Sequence, residues 1–449
     1  MSQKLLTVVL LALLAVSSVA QERSQRRMQG VEELLESRGD GPLRSFAKEH
    51  LAPAYRESFA DEKALLDHLR GLREKVGRVG GVAVTVDGDG RVRLVVKSRE
   101  RESVVAFVLE SSEPQRIVEL VLESSKPREV GPVFTWDTLE EGLVKAAADG
   151  FSGSVLAVKD GEVVLDRGFG HADPGKRHPV TQETLFAIGS TPIDFTHGAI
   201  LLLEELGELA LDDPLARWLE DVPADKRGIT LEHLRTGRSG LLDFPGIEGV
   251  DANLDLSWID RAEFLRRVLG SKLLFEPGTR ERHSHAAWGV LAAVVEVVSG
   301  QGYEEFLRAN FFEPAGMLRT GHYPLAKTFP AAEVAVGLGG NVWGEVNAPP
   351  FWGQTSWLVL GSGGMVSTPR DLRRWWRFLG SEAGLGAAAR RKYGLEGTFL
   401  GEGGNDRGFI NTLGIRGDDL VIVCSNSHVA MDDATAQVAL AAARVATGE

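Results

Sequence analysis

The stretch TLFAIGSTPI, residues 184–193, is apolar up to Gly189, places Ser190 after that glycine and sets Pro192 two residues on. Proline suits the first turn of a helix, where its missing N–H would have no partner anyway. The stretch therefore predicts a helix opening near Pro192 with Ser190 at its start. A serine there has two readings. It can cap the helix, or it can be a nucleophile favoured by the helix N-terminus and a nearby base.

Working outward, SGSVLAVKDGEVVLDRGFG (152–170) reads as a hairpin turning at Asp160-Gly161. It follows a helical pattern, TLEEGLVKAAADG (138–150). Two more strand-like runs, FINTLGIRG (409–417) and DLVIVCSNS (419–427), come near the C-terminus before an alanine-rich helix, DDATAQVALAAARVAT (432–447). Strands at both ends with helices between them predict one antiparallel sheet interrupted by a helical insertion, over about 133–449. Cys424, the single cysteine, lies in an apolar run and reads as a buried strand residue.

Residues 28–126 have a different rhythm. Helical patterns (VEELLESR, LRSFAKEHLAPAY, DEKALLDHLRGLREKVG) precede four strand-like runs beginning at Gly81, Arg91, Glu102 and Arg116. Asp87-Gly88-Asp89-Gly90 marks a turn between the first two. This order predicts a small α+β domain, with Ser125 to Pro132 as linker. Residues 1–20 combine Lys4, an apolar run from Leu5 to Val16, and small residues at Ser18 and Ala20. That is the pattern of a cleaved secretory signal, so the expected location is exported, periplasmic or extracellular, with no transmembrane anchor after cleavage.

Composition narrows the function. The 449 residues carry 50 Lys or Arg against 63 Asp or Glu, a net charge of −13. An acidic chain is a poor nucleic-acid binder. One cysteine allows neither an internal disulfide nor a cysteine-rich zinc site.

The segments between 151 and 372 are linked in an order that resembles the serine β-lactamase and penicillin-binding-protein family, in its esterase and D-alanyl-D-alanine carboxypeptidase branch. The matching pieces are the 151–170 hairpin, TLFAIGS (184–190), AILLLEELGELALDDPLARWL (199–219), ITLEHLRTGRSGL (229–241), FEPGTRERHSH (275–285), FFEPAGM (311–317) and GSGGMVSTPRDL (361–372). The resemblance implies an α/β sandwich of the serine β-lactamase/DD-peptidase type, an antiparallel sheet with a helical domain and a site at their junction. The leading α+β domain resembles the NTF2-like accessory domains that precede such enzymes. No cofactor is implied.

The family's catalytic motifs are altered here. Its S-x-x-K motif reads Ser190-Thr191-Pro192-Ile193, with isoleucine in place of the proton-carrying lysine. Asp194 and His197 are offset from that face or nearly two turns away. Its Y-x-N motif reads His283-Ser284-His285, and alternate residues of an extended loop point the same way, so both rings can face Ser190. Its strand cation is replaced by Glu402 in GEGGNDRGF (401–409), and a carboxylate there would repel the anionic end of a penicillin-type substrate.

Three readings follow. In the first, Ser190 is a nucleophile with His283 or His285 as base and Glu402 orienting the imidazole, acting on a small ester or amide. In the second, the pocket of an inactive homologue binds a cell-wall peptide or a protein partner. In the third, His283, His285 and Glu402 bind a metal. Each residue also has a plainer reading: a helix cap for Ser190, hydrogen-bonded structural histidines, and a solvated Glu402. Trp352 and Trp357 read as core more readily than as groove walls.

Overall fold

The computed structural model describes residues 27–448 apart from 28, 29, 32, 36, 38, 78–80, 87–90, 98–100, 112–114, 128–130, 174, 245–255, 339–341, 343 and 428–433. The signal-like segment 1–20 and the turn Asp87 to Gly90 therefore lie outside the described residues. The chain divides into two compact units that meet in sequence at Val130 and Gly131.

In the first unit, helices Gly41–His50, Pro53–Glu57 and Glu62–Val76 precede four strands: β1 (Gly81–Val86), β2 (Val92–Lys97), β3 (Arg101–Leu109) and β4 (Ile117–Pro127). Asp61 starts the longest helix by accepting the N–H of Ala64 at 2.7 Å. Leu65, Leu66, Leu69, Leu72 and Val76 then recur at helical spacing and are buried. They share a core with Leu94, Val96, Val105, Phe107 and Leu120 of the sheet, which is an antiparallel meander in the order β1-β2-β3-β4. One boundary needs correction. Ser125, Lys126 and Pro127 are not linker: they pair with Ser103, Glu102 and Arg101 and extend β4. The NTF2-like likeness rests on the sequence pattern alone.

The second unit is built on a five-stranded antiparallel sheet. Its strands are β5 (Gly153–Lys159), β6 (Glu162–Phe169), β12 (Phe399–Asp406), β13 (Phe409–Arg416) and β14 (Asp419–Ser425), ordered β12-β13-β14-β5-β6. Between β6 and β12 lie the short strands β7 (His171–Asp173), β8 (His178–Pro179), β9 (Phe186–Ala187), β10 (Gly321–His322) and β11 (Met365–Ser367). The pairing of β14 with β5, from Leu420 opposite Val158 to Ser425 opposite Gly153, joins the two ends of the domain as the sequence predicted. The β5–β6 turn takes Asp160 and Gly161 to φ of 50° and 83°, the positive pair a tight type I′ hairpin needs.

Alternation along the strands explains the layers. Val155, Ala157, Val421 and Val423 enter one core with helices Leu139–Ala148 and Ala434–Thr447. Leu156, Val158, Leu420, Ile422 and Cys424 enter the other, with the helical insertion. Both faces of the central strands are thus covered, so they read as continuous apolar runs. Cys424 is fully buried in β14, and burial pushes its thiol up.

On the insertion side, helix His285–Ser299 is buried at every position from Ala286 to Val295, which makes it the central helix of that layer. It packs on helix Pro192–Glu205. Trp352 is core, wedged edge-on against Tyr323 and Phe409. Trp357 packs on the same core beside Phe264.

Candidate active site

Strand β9 pairs with β11, Ala187 opposite Val366 and Phe186 opposite Ser367, and this carries the chain to Ser190. The helix then begins at Pro192, one residue past Thr191, with no side-chain cap. Ser190 is thus not spent on capping. Its Oγ instead lies 3.1 Å from Nε2 of His285.

His285 is the first residue of its own helix. Ser284 caps that helix by accepting the N–H of Ala287, and its hydroxyl donates to the carbonyl of Leu242 at 2.9 Å. This pins segment 241–244 beside the helix start and brings in a residue the sequence reading missed. Asp243 Oδ1 accepts from the backbone N–H of His285 at 2.6 Å and stands 2.8 Å from its ring Nδ1. The carbonyl of Asp243 accepts from Ala286 N–H at 2.9 Å. Phe244 stacks on the His285 ring at 4.6 Å, and His283 meets it edge-on at the same distance.

The chain Ser190–His285–Asp243 therefore has a direction. A carboxylate at Nδ1 keeps the imidazole proton there and leaves the Nε2 lone pair facing the serine hydroxyl. Burial alone would raise the Asp243 carboxyl. The hydrogen bonds and charge of His285 and the charge of His283 together hold it below the usual carboxylate range. It stays ionised in the pH range where histidine titrates.

Of the two candidate histidines, His285 is the one on Ser190; His283 is solvent-exposed at its flank. The carboxylate at Nδ1 is Asp243 rather than Glu402. The Glu402 backbone lies in β12 opposite Thr412, at a register break before Gly404, and its side chain lies outside the described residues. Ile193 packs against the core. Asp243 lies two residues beyond Leu241, where the ITLEHLRTGRSGL segment ends, and 42 residues from its partner. No local spacing links the two. The weak available signal was a carboxylate in an otherwise apolar LLDF run.

A second missed residue is Asn411 of β13, buried behind the nucleophile. Its amide donates to the carbonyls of Ile188 at 2.7 Å and Gly404 at 3.2 Å, and its oxygen accepts from Thr191 Oγ1 at 2.9 Å. It ties the Ser190 turn to β12. Asn411→Ala orphans these groups in a dry site, so we expect a loss of about 1–3 kcal/mol in unfolding free energy. A hydrolytic rate should fall by about 10²-fold through misplacement of Ser190. Chemical denaturation and initial rates on one preparation check both.

The other polar groups on helix Pro192–Glu205 are held in structural roles. His197 stacks on Tyr393 at 4.5 Å and faces Arg235 through Nε2 at 3.0 Å; burial and that guanidinium push it down to about 3. It is neutral and turned away from proton transfer at Ser190. Burial pushes the Asp194 carboxyl up to about 7, the Tyr393 hydroxyl opposing. Between pH near 4 and 7 the folded form holds a proton that the unfolded chain has released, so Asp194 lowers stability as pH rises through that window. Asp194→Asn should therefore raise the melting temperature more at pH 8 than at pH 5. An equal shift at both would contradict this.

The β-lactamase family profile matches residues 137–418, well over half of the chain, and the protein belongs to that family. It is a β-lactamase-related serine hydrolase homologue. The chain is 34% identical over 176 residues to penicillin-binding protein 4* of Bacillus subtilis, covering 38% of each chain. It is also 34% identical over 175 residues to esterase EstB of Burkholderia gladioli, covering 36% of this chain and 44% of that protein. The matches thus span less than half the length of these relatives. A penicillin-binding protein from Bacillus halodurans superposes with a TM-score of 0.55 at 26% identity, over 68% of this chain and 98% of that one. Among the described residues, no helix is long and apolar enough to cross a membrane.

Proposed function

We propose that this chain is an exported serine hydrolase that cleaves a small ester, or a small amide, through Ser190, His285 and Asp243. The observation that carries the reading is the continuous hydrogen-bonded path from Ser190 Oγ through the imidazole to Asp243. In it, Ser190 Oγ attacks the substrate carbonyl carbon while its proton passes to His285 Nε2. Asp243 stabilises the resulting imidazolium. The tetrahedral intermediate then expels the alcohol or amine, which takes the proton from Nε2. A water, deprotonated by the same nitrogen, releases the acid and restores Ser190.

The developing oxyanion needs preorganised donors. Ser190 N–H is the donor nearest the nucleophile, and it lies beside β12, where a Cβ on Gly404 would stand 2.2 Å from that nitrogen. Backbone N–H groups of β12 beside it are the natural second donor. The family lysine is dispensable in this scheme because the imidazole takes its proton-transfer role. The exposed His283 borders the site. Residues 1–20 support export, and the likeness to an esterase supports the ester class.

A second reading is a binding protein without turnover, with a cell-wall peptide as ligand. Ile193 in the lysine position favours it. Hydrolysis of p-nitrophenyl esters of graded acyl length separates the two. The hydrolase reading expects turnover that disappears in Ser190→Ala. Folded protein without turnover, or turnover surviving in Ser190→Ala, supports the binder.

A further inference from the structure

Asp243, His283 and His285 each present a ligand atom, and these atoms lie within 4.8 Å of one another. The set is two imidazoles and a carboxylate, a donor combination that suits zinc and leaves the fourth tetrahedral position to water. Tetrahedral ligands at zinc distances stand roughly 3.4 Å apart, so no pair need close by more than about 1.4 Å. His283 is the member free to move, being exposed, whereas Asp243 and His285 are already locked together at 2.8 Å. This is not the set that sequence spacing offers, since Asp243 takes the place of Glu402.

We propose that these three residues form a zinc site whose occupation switches Ser190 off. The inhibition follows from imidazole chemistry, because the nitrogen beside Asp243 is Nδ1. Zinc on Nδ1 displaces the proton shared with Asp243, and the neutral ring must then carry its proton on Nε2, leaving Ser190 without a base. The metal is an inhibitor bound to the relay, not a participant in hydrolysis. EDTA restores the free imidazole.

The inhibitory half rests on the hydrolase reading; the binding half does not, and the experiment treats them apart. Binding is measured with Co²⁺ in Ser190→Ala, where the d–d absorption of a tetrahedral site should appear at one equivalent and be displaced by zinc. Inhibition is measured as zinc-dependent loss of fluorophosphonate labelling of the unaltered chain, reversed by EDTA. His283→Phe keeps an aromatic edge against His285 and removes one ligand, so half-inhibition should need at least about tenfold more zinc. Absence of the one-equivalent cobalt band in folded Ser190→Ala overturns the site. Unchanged zinc sensitivity in His283→Phe overturns the ligand set. If the unaltered chain fails to label even in EDTA, the hydrolase reading fails while the cobalt titration still decides the site.

Discussion

His285→Ala should lower kcat/KM for an ester substrate by about 10⁴-fold or more, with little change in KM. The imidazole is the sole group placed on Ser190 Oγ among the described hydrogen bonds, and the neighbouring Ile193 cannot move a proton. Asp243→Asn is the subtler form of the same test and should cost about 10²-fold or more. Asparagine keeps an oxygen for the His285 backbone N–H, so the turn survives. That same oxygen also faces Nδ1, so the ring keeps its proton there and what the substitution removes is the negative charge that stabilises the imidazolium. The structure of the variant should be unchanged while its activity collapses. A melting temperature within a few degrees of the unaltered chain, measured beside the rate, separates this from unfolding.

Gly404→Ala carries the second large effect, for a purely steric reason. A Cβ at Gly404 would lie 2.2 Å from Ser190 N and 2.6 Å from the Ile188 carbonyl oxygen, both backbone atoms that cannot swing aside. Either β12 or the Ser190 turn must move. Both are held by Asn411, so the strain is shared rather than relieved locally. Overpacking of this kind costs about 1–3 kcal/mol. The displacement separates the nucleophile from the imidazole and from the oxyanion donors, so activity should fall by about 10²-fold or more. Normal activity in Gly404→Ala would mean that β12 does not border the reacting carbonyl.

The sheet was legible because its information is local. Alternating apolar runs, the Asp160-Gly161 turn and the alanine-rich last helix each declare themselves within a few residues, and closing the two chain ends onto one sheet follows from their count. The site was half legible. Ser190 is marked by the glycine before it and the proline after it, and the i, i+2 pair His283 and His285 by their placement in a familiar segment. Choosing between those rings was not possible from spacing. His285 begins a helix and stands on Ser190, whereas His283 remains in the preceding loop and meets the His285 ring edge-on. Asp243 and Asn411 were invisible for a common reason. Each acts across the fold, on residues 42 and more than 200 positions away, from segments whose local pattern is that of core strand or loop. The Ser125–Pro127 boundary was misread because serine, lysine and proline are poor strand formers, yet they occupy the last paired positions of β4.

The central claim is that Ser190 is activated by His285 and Asp243 without the family lysine. Its most direct measurement is covalent labelling by a fluorophosphonate, read by intact mass, on the unaltered chain and on Ser190→Ala, His285→Ala and Asp243→Asn. The account predicts one adduct on the unaltered chain, none on Ser190→Ala, and strongly slowed labelling in the other two. Labelling of Ser190 at an undiminished rate in His285→Ala, or no labelling of the folded unaltered chain between pH 6 and 9, would contradict it.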